Sequence, residues 1–95
     1  MSPALLAERQ NEVYRRLCEV IDPEIGVSII KLGLVYDIAI DAGDVTVVMT
    51  LTTRGCPLGH AITEGVRRMV ESLAWVTNVT VHLVWDPPWD PAMIR

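Results

Sequence analysis

The sequence predicts an α+β fold, a two-layer sandwich in the order helix-strand-strand-helix-strand, with a three-stranded sheet and both helices on one face. Three observations lead there. Ile62, Val66, Met69, Val70 and Leu73 recur at i, i+4, i+7, i+8 and i+11, the stripe of an amphipathic helix. Val45, Val47, Met49 and Leu51 alternate, as do Val79, Val81, Leu83 and Trp85, which is the period of strands with one buried side. One-sided helices and a small sheet bury their apolar sides only against each other, and that makes two layers.

The first helix is expected over residues 3 to 21. Ser2 can cap it, Pro3 suits its first position, and Leu6, Val13, Leu17 and Ile21 keep one face apolar. Pro23 biases Asp22 out of the helical region and Gly26 follows, so the helix stops there. Residues 22 to 33 then form a connection of about twelve residues without clear period, and connections of that length are often functional. Leu34 to Ile40 and Val45 to Leu51 read as a hairpin around the turn Asp41-Ala42-Gly43-Asp44. The second helix follows a cysteine-bearing loop. The third strand must end at Pro87 and Pro88, which cannot donate ladder hydrogen bonds. With both helices on one side, the other sheet face shows Val35, Ala39, Val48 and Val84 beside Asp37, Thr46, Thr50 and His82. That mixture is suited to pairing with a second copy or a partner protein.

Ninety-five residues form a single domain, 1-95, with a thin core. The composition, 51% hydrophobic and 21% charged, is that of a globular chain, and no apolar run approaches the ~20 residues of a membrane span. No secretory signal pattern is present, and two distant cysteines make a poor disulfide framework, so a reducing cytoplasm is expected. A net charge of -4 without a basic run argues against nucleic acid as a partner, and a KH-like reading lacks its basic G-x-x-G loop. No phosphate loop is present, so no nucleotide is expected.

The chemistry points to Thr52-Thr53-Arg54-Gly55-Cys56-Pro57-Leu58-Gly59, which sets a cysteine between a strand and a helix. Unpaired N-H groups and the helix dipole at such a place favour thiolate, the form that binds metal or attacks an electrophile. Against this stands ordinary burial, the commonest fate of a free cysteine. If the helix begins near Pro57, His60 at i+4 could share a metal ion with Cys56, although a solvated first-turn histidine is the plainer reading. A tetrahedral zinc or iron-sulfur centre needs about four ligands, so a cluster here would be shared with another chain and labile. Asp22 and Glu24 either accept N-H bonds within their own loop or turn toward Cys56. Thr53 is a candidate cap and Thr52 an ordinary strand-end residue. Cys18, beside Leu17, is expected to be buried and carries no assigned role. Trp85 and Trp89, separated by prolines, are candidate interaction residues; Trp85 is equally a candidate core residue, while Trp89 has no obvious partner within the chain.

Taken in order, Asp22-Pro23-Glu24-Ile25-Gly26, Leu32-Gly33-Leu34-Val35-Tyr36-Asp37-Ile38, Met49-Thr50-Leu51-Thr52-Thr53 with Cys56-Pro57, and Val84-Trp85-Asp86-Pro87-Pro88-Trp89 resemble the SufT-like and PaaD-like family of metal-sulfur cluster biosynthetic proteins. The resemblance spans nearly the whole chain. It implies iron-sulfur cluster assembly or delivery rather than catalysis, a functional pocket at Asp22, Glu24, Thr52, Thr53 and Cys56, and a transient iron-sulfur cluster or iron as cargo. Partners would be assembly or client proteins and a second copy in a homodimer. The PaaD branch carries a further cysteine-bearing tail that is not seen here, which weakens a reading as accessory factor to a metal-dependent oxygenase. A pure interaction module is one rival. A thiol enzyme is another, and it requires a base within reach of the sulfur.

Overall fold

The computed structural model describes residues 1–55 and 58–95; Cys56 and Pro57 lie outside the described residues. Helix α1 spans Pro3–Leu17, with the Ser2 hydroxyl accepting from the Leu5 N-H at 3.1 Å and Pro3 at the first helical position. It buries Val13 and Leu17, an i, i+4 pair that sets its inner face. It stops four residues short of the expected Ile21. Val20 takes the next core place at 6% exposure, while Ile21 turns outward at 49%. The competing force is strand pairing: the Val20 carbonyl accepts from Ile29 N-H at 3.0 Å, and β1 (Ile21–Asp22) pairs antiparallel with β2 (Val27–Ser28). The supposed irregular connection thus contains a small hairpin, closed by Gly26 at φ +75, a left-handed conformation that favours glycine. Cys18 caps the end of α1 and is exposed rather than buried, because it sits one residue beyond the inward-facing Leu17.

The main sheet has the order β3-β4-β5, comprising β3 (Val35–Asp41), β4 (Asp44–Met49) and β5 (Asn78–Leu83). β3 and β4 are antiparallel and meet across Ala42 and Gly43; β4 and β5 are parallel, which the intervening α2 (Gly59–Glu71) makes possible. A Cβ on Gly43 would come within 2.5 Å of Thr77 Oγ1 and 3.0 Å of the Trp75 carbonyl, so that turn needs glycine for close approach.

Both helices lie on one sheet face. Val13 and Leu17 from α1 and Ile62, Val66 and Val70 from α2 form one buried cluster with Val45, Val47, Met49 and Val79. Asp37, Ala39, Thr80 and His82 are exposed on the opposite face. Two residues expected there go elsewhere. A register shift between Val35 and Asp37 pairs Val35 with the buried Met49, and Val35 packs against the core. Thr50 lies past the end of β4 and is fully buried, its N-H donating to the Leu34 carbonyl at 2.9 Å. No helix among the described residues is long and apolar enough to cross a membrane.

Candidate functional site

The register places the chemistry-bearing loops at one end of the sheet. Val35, Met49 and Leu83 are mutually aligned across the three strands. The chain entering β3, the cysteine loop leaving β4 and the C-terminal segment leaving β5 therefore share that end.

A relay of backbone hydrogen bonds supports it. Ile29 N-H donates to Val20, Leu34 N-H to Ile29 and Thr50 N-H to Leu34, at 3.0, 3.0 and 2.9 Å. The relay connects the start of the β1-β2 hairpin to the base of the cysteine loop. Within the hairpin Asp22 is only 2% exposed, and its Oδ1 accepts from the Glu24 N-H at 2.9 Å. Its carbonyl accepts from the Gly26 N-H at 2.7 Å. One oxygen of Asp22 thus serves an Asx turn within its own loop, the structural one of the two roles open to it from sequence. Glu24 is exposed.

Thr52 is half-buried and Thr53 exposed. Neither caps α2: the cap residue is Leu58, without a side-chain hydrogen bond, and the helix starts at Gly59 rather than near Pro57. Among the described residues no side chain caps its first turn, which follows the loop in sequence. α2 begins at Gly59, and the pairing of His60 with Cys56 lies outside the described residues. His60 is exposed in the first turn, the plainer of its two readings, and its carbonyl accepts from Thr63 Oγ1 at 3.0 Å. Gly59 is buried because its Cα passes Leu51, whose Cδ1 would lie 2.8 Å from an added Cβ. Among the described residues no group of three or more His, Cys, Asp or Glu side chains could hold a metal ion. A complete ligand set does not fit these residues by themselves.

The C-terminal segment gives Trp89 the partner that the sequence does not show. Trp89 has a partner in its own chain, its indole N-H donating to the Leu32 carbonyl at 2.7 Å while its ring packs half-buried on the core. Trp85 also packs on the core, and the Arg54 guanidinium stacks over its ring at 4.9 Å from the centroid. Tyr36 Oη donates to the Pro87 carbonyl at 2.8 Å, and Arg95 N-H to Lys31 at 2.9 Å. Sequence reasoning passed over Arg54 and Tyr36. The only signal was an arginine two residues ahead of the cysteine and a tyrosine near the start of a strand.

The fold defines a small α+β protein in which the chain entering β3, the segment leaving β4 and the segment leaving β5 share one end of a mixed sheet. Comparison with known proteins identifies the group. A family model described as "Iron-sulfur cluster assembly protein" matches residues 10–81. The chain is 47% identical over 81 residues to the Fe-S protein maturation auxiliary factor YitW of Bacillus subtilis, covering 84% of this chain and 79% of that protein. It is 43% identical over 76 residues to the Fe-S protein maturation auxiliary factor SufT of Staphylococcus aureus, covering 79% and 86%. A crystal structure of a DUF59 domain from Bacillus anthracis superposes with a TM-score of 0.89 at 36% identity, covering 94% of this chain and 86% of that one. The chain belongs to the iron-sulfur cluster assembly protein family.

Proposed function

We propose that this chain is an iron-sulfur cluster assembly factor that acts as a carrier or adaptor, with Cys56 as transient ligand or client-contacting thiol. Asp22, Glu24, Thr52 and Thr53 shape the surroundings of that thiol. The observation that carries the reading is the hydrogen-bond relay Val20-Ile29-Leu34-Thr50, which mounts the acidic turn and the cysteine loop on one rigid support. Cluster and iron are cargo, passed on rather than retained. Iron-sulfur clusters ordinarily take four protein ligands, and the described residues supply no group of three. A cluster held through Cys56 would borrow thiolates from a client or from a second copy in a homodimer, which keeps it exchangeable. A thiol that must stay reduced suits the cytoplasm. The relatives named as maturation auxiliary factors support assembly over turnover of a metabolite.

The test is a Cys56→Ser variant in a host lacking its own copy of the protein. The variant is expected to fold and melt like the parent yet fail to restore iron-sulfur enzyme activities. Full restoration would sink the proposal.

A further inference from the structure

Resting on that reading, we infer that Trp85 is a positioning residue for the cysteine loop, acting through the Arg54 guanidinium stacked on its ring. Trp85 lies just past β5, where the Val84 N-H still donates to Met49 at 2.9 Å, and its indole is packed on the core. The segment that follows is pinned along residues 31 to 36. Tyr36 holds the Pro87 carbonyl, Leu32 holds the Trp89 indole and Lys31 holds the Arg95 N-H. Gly33, at φ +76, has no room for a Cβ because the Met93 carbonyl lies against it. The ring is thus a fixed surface.

Among the described residues, the stack on Trp85 is the one side-chain tie made by residues 52 to 55. Leu51 before the loop and Gly59 after it are buried, so both ends are anchored, and Arg54 ties down the described stretch between them. Arg54 is two residues from Cys56, and two residues of chain span at most about 7 Å. Holding the arginine therefore confines where the thiol can be presented. An exposed cation-π contact of this kind shifts the loop's population about two- to fivefold. Arginine and tryptophan are the pair best suited to it, through a planar cation on the most electron-rich ring.

The experiment uses the full chain and two readouts. Trypsin cuts after Arg54 only when that side chain leaves the ring, so cleavage at Arg54-Gly55, followed by mass spectrometry, should quicken two- to fivefold in Trp85→Leu relative to other sites. In the complementation host, Trp85→Leu and Arg54→Gln should each lower iron-sulfur enzyme activity, the double variant no further, and Arg54→Lys should keep most of it. An unchanged cleavage rate, or full activity in Arg54→Gln while Cys56→Ser is inactive, overturns the clamp and leaves the carrier reading standing. Full activity in Cys56→Ser overturns the carrier reading itself.

Discussion

The indole N-H of Trp89 donates to the carbonyl of Leu32 at 2.7 Å, tying the C-terminal segment to the chain just before β3. Removing that donor leaves a carbonyl facing a partly buried ring. Trp89→Phe should cost about 1–2 kcal/mol, and Trp89→Ala more, because the ring also packs on the core. Thermal melts of the two variants check the order. Equal stability of Trp89→Phe and parent would show that water replaces the bond at no cost.

Asp22 allows the structural and chemical roles of a buried carboxylate to be separated. Asp22→Ala removes the acceptor for the Glu24 N-H and should lose about 1–3 kcal/mol. Asp22→Asn keeps an oxygen in place and should lose less than half as much. If the charge itself serves the cargo, the Asn variant will melt near the parent yet support iron-sulfur enzymes poorly in the complementation host.

Gly33 and Gly26 form a matched pair, with φ values of +76 and +75. An alanine at Gly26 meets nothing within 4 Å, so Gly26→Ala should show only the conformational cost of about 1–2 kcal/mol. Gly33→Ala adds a collision with the Met93 carbonyl and should cost distinctly more. Hydrogen exchange at the Arg95 amide, bonded to Lys31, should accelerate in Gly33→Ala alone.

At the opposite end of the sheet, Trp75 donates to Glu12 Oε2 at 2.7 Å while Arg9 lies over its ring at 4.6 Å, and Arg9 also reaches the Ala42 carbonyl at 3.3 Å. These contacts tie α1 to the β3-β4 turn and to the connection between α2 and β5. A double-mutant cycle of Glu12→Ala with Trp75→Phe should give a coupling of about 1 kcal/mol. Additive losses would show that the bond is satisfied equally well by solvent.

The sequence disclosed those elements that a local period specifies. The Ile62 to Leu73 stripe and the Val45 to Met49 alternation reappear as α2 and β4, and the order and layering follow from them. Boundaries set by distant partners were not legible. Ile21 continues the α1 period well enough, yet the bond from Ile29 to Val20 draws the chain into a strand instead. Nothing local marks Tyr36 as the site of a register shift, so Val35 was assigned to the wrong face. Trp89 looked unpartnered because its acceptor is a backbone carbonyl 57 residues earlier.

For the candidate site the division is similar. Residue type and place singled out Cys56, ahead of a helix, while the grouping of Asp22, Glu24, Thr52 and Thr53 with it came from the family resemblance. Only the tertiary structure decided that Asp22 spends one oxygen on its own turn, that α2 begins at Gly59 without a side-chain cap, and that Arg54 rests on Trp85. Composition and periodicity act over a few residues and so can be read along the chain. The relay from Val20 to Thr50 continues the antiparallel pairing of β3 with β4, and the strap from Trp85 to Arg95 follows the parallel pairing of β4 with β5, long-range contacts that no local pattern encodes.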